Sequence, residues 1–251
     1  MSIGLINLCI FRCYIYIGDQ IMSSYPKSII YSQNTGILTP KQQVDIHNSN
    51  IMIIGLGGLG GSLTNNLVRL GVEHITLVDF DVYSPSNLNR QLFSSLNTIG
   101  LFKVDVVCEE LQHINQDLKM HLIQKQIEEL NNDEFESIDY LIDCTDNPQT
   151  KLHIIALGKQ FNIPVLHGAC AGWYGQVGWI MPGCSLLNEL YLERDHGLEA
   201  EMLNSAFTPA FTASYMTAEF VKMVTNNNPS INEILFIDIL NNKISPLGKG
   251  E

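Results

Sequence analysis

Positive charge is the scarcest commodity in this sequence. Lys and Arg number 14 against 26 Asp and Glu, a formal net charge of −12 over 251 residues. Such a balance argues against non-specific attraction to nucleic acid, yet leaves room for a few cations gathered around one anionic ligand. Cysteine is thin as well: Cys9, Cys13, Cys108, Cys144, Cys170 and Cys184, with no C-x-x-C anywhere. The usual zinc-ribbon spacing and any dense disulfide framework are thereby excluded, and a reducing cytoplasm is the simplest location. Long apolar runs are missing too. Ile3 to Ile17 is largely apolar, but Arg12 interrupts it, and it falls short of the roughly 20 residues a membrane helix needs. It carries no basic leader and no small-residue cleavage site, so no membrane role is expected. Residues 1–30 read as an N-terminal extension. Translation from Met22 is favoured over a β-rich, partner-binding arm.

With 45% hydrophobic residues, the remainder can bury one substantial core, and residues 31–251 read as a single domain. From Ile51 onward, strand and helix patterns alternate. Strands are expected at Ile51–Ile54, His74–Val78, His121–Gln124, Tyr140–Ile142 and Pro164–His167. Helices are expected at Gly60–Leu70, Lys103–His113 and Pro148–Phe161. This alternation predicts an α/β fold, a Rossmann-like, mostly parallel sheet with helices on both faces. Beyond Gly172 the character changes. Gln176–Met181 is strand-like, Leu186–Asn204 is polar and loop-like, and Ala210–Val224 is helical. Glu233–Leu240 and Lys243–Leu247 read as a closing hairpin turned by Asn241-Asn242, so antiparallel strands extend the sheet.

Gly55-Leu56-Gly57-Gly58-Leu59-Gly60 fits G-x-G-x-x-G between a predicted strand and a predicted helix. Glycines allow backbone N–H groups to approach phosphate oxygens, and the helix N-terminus adds favourable electrostatics. Asp79 ends the next strand, where a carboxylate can accept from ribose hydroxyls. This loop alone suits NAD as well as ATP. The following segment decides between them. Asp79-Phe80-Asp81 precedes Ser86-Asn87-Leu88-Asn89-Arg90-Gln91, and then Lys103. Arg forks onto phosphate oxygens and Lys supplies a mobile point charge, which suits a triphosphate and a departing pyrophosphate. A second acid cluster, Asp143-Cys144-Thr145-Asp146-Asn147, falls at the carboxyl end of a strand. Asp146 there is a candidate magnesium ligand, with helix capping as its competing role.

These words together, G-L-G-G-L-G, D-F-D, S-N-L-N-R-Q, a Lys 13 residues after the Arg, and D-C-T-D-N, resemble the ThiF/MoeB/HesA family of bacterial relatives of ubiquitin-activating enzymes. His167-Gly168-Ala169, Gly172-Trp173-Tyr174-Gly175-Gln176 and Phe207-Thr208-Pro209-Ala210 look like its compact ThiF-type branch. The resemblance implies an adenylyltransferase that activates the C-terminal glycine of a small ubiquitin-like sulfur-carrier protein ending in Gly-Gly, using ATP and magnesium and releasing pyrophosphate. It implies that Gly58 lies on the nucleotide and Asp79 on its ribose. Asn87, Arg90 and Lys103 would handle the phosphates, and Asp146, with Asn147 beside it, the magnesium. A homodimer is also implied. The candidate nucleotide set is then Gly55, Gly57, Gly58, Gly60, Asp79, Asp81, Ser86, Asn87, Leu88, Asn89, Arg90, Gln91, Lys103, Asp146 and Asn147. Arg90, Lys103 and Asp146 form the catalytic set.

The sequence departs from the family pattern in two places. Gln33, in Tyr31-Ser32-Gln33-Asn34, stands where an arginine reaching the neighbouring subunit is usual. An amide can hydrogen-bond a phosphate without offsetting its charge. Lys27, Lys41 or a slower adenylation would each answer this. The zinc-binding cysteine pairs of many relatives are absent, so no zinc is expected. Cys184, after Gly183, is a candidate sulfur-transfer thiol in an accessible loop, but no neighbouring base or cation lowers its pKa, so a structural or incidental cysteine is the favoured reading. Cys144 and Cys170 read as core residues, and His167 as packed at a strand end. Rival functions are an ATP-dependent modification of a tRNA base, a nicotinamide oxidoreductase, and a carrier-binding scaffold without activity. Thiamine, molybdenum cofactor, cysteine and peptide natural-product synthesis each remain open as the pathway.

Overall fold

Strand burial sets the architecture. In β1 (Asn50–Ile54) four consecutive residues are buried, and β2 (His74–Val78) repeats the pattern. Side chains alternate across a sheet, so consecutive burial means that both faces are covered. The computed structural model describes residues 26–191 and 202–249 and divides into two units, Met1–Pro40 and Lys41–Glu251. The described part of the first unit holds one helical turn, Lys27–Ile30, and a 3-10 turn, Ser32–Gly36, which contains Gln33. The stretch before Met22, with Cys9 and Cys13, lies outside the described residues. Among the described residues no helix is long and apolar enough to cross a membrane.

α1 (Pro40–Asn48), all but its first residue in the second unit, and β1 are followed by α2 (Gly58–Leu70), β2 and α3 (Lys103–Gln112). Then come β3 (Lys119–Ile123), β4 (Tyr140–Asp143), α4 (Pro148–Phe161), β5 (Val165–Ala171) and β6 (Tyr174–Ile180). After α5 (Leu186–Tyr191) and α6 (Phe207–Val224), β7 (Glu233–Asp238) and β8 (Lys243–Lys249) complete the described chain. One eight-stranded sheet has the order β3-β2-β1-β4-β5-β6-β7-β8. Its first five strands are parallel and the last three antiparallel. The expected α/β architecture with an antiparallel extension is therefore present.

The helices divide between the two faces. Met52 and Ile54 of β1 pack with Ile154 and Ile155 of α4 and Leu187 of α5 in one apolar cluster. α2 packs against α6, which also meets β5 and β6. Three leucines of α2, Leu59, Leu63 and Leu67, are buried, and truncating one such side chain typically costs about 2–5 kcal/mol.

Two expectations need correcting. Leu186–Asn204 is not loop throughout, because its first six residues form α5 and bury Leu186, Leu187 and Tyr191. The apolar positions 186, 187, 190 and 191 keep helical spacing, but Asn188 and Glu189 between them dominate the local composition. The middle of that stretch, including His196, lies outside the described residues. Cys184 is not in an accessible loop either. It is buried in the same apolar cluster as Leu186, Leu187 and Tyr191, and its N–H donates to Met181.

Candidate nucleotide site

The strand order places a crevice where the chain changes direction. From β1 the chain builds outward through β2 and β3, then returns to start β4 on the other side of β1. The segments leaving β1 and β4 therefore diverge, and ligands bind in α/β sheets at such a point. A cleft of about 840 Å³ opens there.

The glycine turn forms its floor. Gly55 has φ +89°, and a Cβ on it would stand 2.9 Å from the carbonyl oxygen of Cys144. Only glycine combines that backbone angle with so close an approach to β4's exit. Gly60 does not line the cleft. A Cβ there would lie 1.8 Å from the Gly55 carbonyl oxygen, so it serves the packing of α2 against the turn. Gly57 and Gly58 do line the cleft, at the start of α2, where unpaired N–H groups and the helix dipole favour an anion.

Asp79 follows β2 and is buried. Its Oδ2 accepts from Leu56 N at 2.6 Å and its Oδ1 from Asp81 N at 2.8 Å. Burial raises its pKa, an effect that Lys103 and the two backbone donors oppose without cancelling. Each oxygen keeps a further lone pair for a hydroxyl donor. Lys103 opens α3. Its Nζ lies 2.8 Å from Asp81 Oδ2, the lysine side chain being 7% exposed and the aspartate 50%. Arg90 is tied to its own loop, donating from one terminal nitrogen to Ser86 O and to Asn89 Oδ1, both at 2.9 Å.

Ser86, Asn89, Arg90, Gln91, Lys103 and Asp81 all face the cleft with Asp79. Asn87 and Leu88 are not among its lining residues. Asn87 is buried, and its Oδ1 accepts from Ser84 N at 2.9 Å, so its side chain shapes the loop that presents Arg90. A sequence cannot distinguish a loop-bracing Asn from a ligand-binding one when both stand in the same turn.

From the far side, the segment after β4 supplies Thr145, Asp146 and Asn147. Asn147 is the N-cap of α4, its Oδ1 accepting from Gln149 N and Thr150 N. Asp146 is exposed in the cleft and is not needed as a cap. Magnesium usually takes one or two carboxylates plus substrate phosphates and water. A single Asp lining the same cleft as the glycine turn fits that chemistry. Among the described residues no group of three or more His, Cys, Asp or Glu forms a metal-ligating cluster.

Sequence reasoning missed several lining residues. Lys125 and Gln126 follow β3, and Asn204 reaches in just ahead of α6. Asn89 Nδ2 donates to Asn204 O at 3.1 Å, and Asn204 Nδ2 to Cys170 O at 3.2 Å, so this segment joins the arginine loop to β5. Lys125 could have been found from its place just past a parallel strand's carboxyl end. Asn204 gave no such signal.

A buried polar network behind the cleft was also missed. Asp143 accepts from His167 Nδ1 at 2.9 Å, and Lys151 Nζ lies 3.2 Å from Asp143 Oδ2. Burial alone would raise the Asp143 pKa, but Lys151, His167 and Thr145 together hold it down to about 2. His167 is shifted the other way from a charged partner's usual effect: burial, then Lys151, lowers its pKa and keeps it neutral. His167 is packed as expected, but inside β5, which continues to Ala171, and not at a strand's end.

Comparisons with known proteins follow the same lines. The family model described as the ThiF family matches residues 31–250. A tRNA threonylcarbamoyladenosine dehydratase from Haemophilus influenzae is 33% identical over 148 residues, 57% of this chain and 57% of its own length. A molybdopterin-synthase adenylyltransferase from Salmonella typhimurium is 31% identical over 165 residues, 64% of each protein. The chain thus spans less than two thirds of these relatives. The crystal structure of Escherichia coli MccB with AMPCPP and MccA superposes with a TM-score of 0.74 at 20% identity, covering 96% of this chain and 78% of MccB. That likeness concerns the fold. The family match over nearly the whole described chain, with the glycine turn, the Asp79 loop and the Asp146 loop meeting in one cleft, makes this chain a member of the ThiF family.

Proposed function

We propose that the chain binds ATP and adenylates a carboxylate, the C-terminal glycine of a small ubiquitin-like carrier protein ending in Gly-Gly. One observation carries this reading: Asp79, Arg90, Lys103 and Asp146 line a single cleft together with Gly55, Gly57 and Gly58 of the glycine turn. The turn and the start of α2 hold the phosphates through backbone N–H groups. Asp79 accepts from the ribose hydroxyls. A carboxylate oxygen of the carrier attacks the α-phosphorus, the bond to the bridging oxygen breaks, and pyrophosphate leaves with the electron pair. No general base is required, because a C-terminal carboxylate is already ionised at pH 7.

Catalysis then rests on positioning and charge. Arg90 and Lys103 stabilise charge accumulating on the departing pyrophosphate. The triphosphate competes with Asp81 for Lys103, and with Ser86 O and Asn89 for Arg90. Asp146 would hold a magnesium ion, which would supply further neutralisation of phosphate charge. The homodimer and cytoplasmic location expected from the sequence belong to this proposal; light scattering of the purified protein tests the first.

The test is ATP–pyrophosphate exchange with a purified carrier. Exchange should require the carrier's terminal carboxylate, and Arg90→Ala should lower it by about 10²–10³-fold, the usual cost of losing one charge-stabilising group. Undiminished exchange in Arg90→Ala removes that residue from the phosphate site. A second reading, activation of a carbonyl on a modified tRNA base, is favoured by the 33% identity to the Haemophilus influenzae dehydratase. The net charge of −12 favours the protein carrier. ATP consumption stimulated by tRNA and not by carrier would reverse the choice.

A further inference from the structure

The loop that carries Asp146 is gripped from behind by charges the adenylation chemistry does not use. Asp143 closes β4 and is fully buried, and Lys151, one turn into α4, is 1% exposed. Lys151 Nζ approaches Asp143 Oδ1 at 3.4 Å and Oδ2 at 3.2 Å, and donates to Gly168 O of β5 at 2.8 Å. Asp143 Oδ1 in turn accepts from Thr145 N at 3.0 Å and Thr145 Oγ1 at 2.7 Å. One carboxylate therefore fixes the direction in which the chain leaves the sheet.

The other end of the loop is fixed as well. Asn147 Oδ1 takes Gln149 N at 2.9 Å and Thr150 N at 3.1 Å. Lys151 N donates to Asn147 O at 3.0 Å, so the lysine that pairs with Asp143 belongs to the helical turn capped by Asn147. β4, Thr145, Asn147 and Lys151 thus form a closed circuit. Asp146 stands between the two fixed residues, exposed, and lines the cleft.

A buried ion pair is a weak source of net stability, since an apolar pair of similar volume often does as well. A clamp is something an apolar pair cannot supply, because it has no donors or acceptors to set a loop's direction. We propose that Lys151, acting through Asp143 and Thr145, is a positioning residue that aims the Asp146 carboxylate at the magnesium-bearing phosphates of the nucleotide. The proposal rests on the ATP-binding part of the function proposed above, and not on the identity of the acyl acceptor.

The test uses the full chain and measures ATP binding by calorimetry over a magnesium titration, with thermal unfolding in parallel. Thr145→Val removes one hydroxyl bond from the clamp and should raise the magnesium concentration for half-maximal ATP binding by about threefold. Lys151→Met, assayed well below its melting temperature, should raise it tenfold or more, and Lys151→Arg should recover part of the loss. In an Asp146→Asn background neither change should shift the magnesium dependence further. A lowered melting temperature with unchanged magnesium dependence in Thr145→Val and Lys151→Met makes the pair purely structural and overturns the proposal. If Lys151→Met does not fold, Thr145→Val decides alone. ATP binding that magnesium does not strengthen in the unsubstituted protein overturns it too. Magnesium-assisted ATP binding without carrier-dependent exchange leaves the clamp intact and removes only the carrier.

Discussion

The two loops that face each other across the cleft hold their charges in opposite ways. Between β2 and the start of α3, the cations assigned to the phosphates are engaged by neighbours on the cleft's own surface: Lys103 by half-exposed Asp81, Arg90 by Ser86 O and Asn89. Ligand and protein compete for them there. In the loop between β4 and α4, the binding has been moved behind the surface. Buried Asp143 and Lys151 fix the chain, and Asp146 projects from it. One loop keeps cations paired at the cleft's own surface, and the other presents an anion from a braced backbone. The proposed adenylation, which grips a triphosphate and then releases pyrophosphate, would use both.

The contrast can be broken from either side. The largest effect should come from the buried side: Lys151→Met leaves the Asp143 charge in the interior without its partner and should cost about 3–5 kcal/mol, read from urea unfolding. On the exposed side, Lys103→Ala should barely alter the unfolding midpoint relative to that, yet lower pyrophosphate exchange by about 10²–10³-fold. Equal losses of stability in both variants would erase the distinction. Acid should also act on the buried side first. His167 has a lowered folded-state pKa, so its contribution is present above the unfolded value of about 6.5 and declines as pH falls through the folded one. Asp143, held near 2, keeps its charge in the folded state while the unfolded chain protonates near 3.9, so stability falls further between about pH 4 and pH 2. Burial of Asp79, with its raised pKa, works in the opposite direction. Urea midpoints from pH 7 to pH 3 measure the sum, and an imidazole NMR signal of His167 that titrates below the free value isolates the first step. The smallest effect belongs to Asn147→Ala, a lost helix cap worth about 1 kcal/mol, visible as a modest drop in the same unfolding midpoint.

How well the sequence announced each part depends on whether the cause was local. β2 and α4 have the boundaries expected from pattern alone. α4 is bracketed by Asn147-Pro148, a cap followed by proline in the first turn, and by Asn162 at φ 56°, a left-handed stop. The lining residues of the glycine turn and of the Ser86–Gln91 loop were readable because backbone chemistry fixes their spacing. The rest is set by contacts distant in sequence. Cys184 looked accessible after Gly183, but the packing of α5 under β4 and α4 buries it. Asp143, Lys151 and His167 lie in three separate elements, and only the register of β4 with β5 brings Asp143 opposite His167. Asn204 enters the cleft through a bond to Cys170, 34 residues earlier. Asp143 and His167 stand 24 residues apart, and Asn204 and Cys170 stand 34 apart, beyond any local pattern.

The fit of α2 against its preceding turn has a consequence for anyone mapping this protein by mutation. A methyl group at position 60 has nowhere to go except into the Gly55 carbonyl. The substituted chain must pry the helix off the sheet, and Leu63 and Leu67 travel with it. A screen that scores only product formation would record Gly60 beside Arg90 and Lys103 as equally indispensable. Its loss would in fact register as insoluble protein, and expression level, measured alongside turnover, separates the hinge pin from the tools it carries.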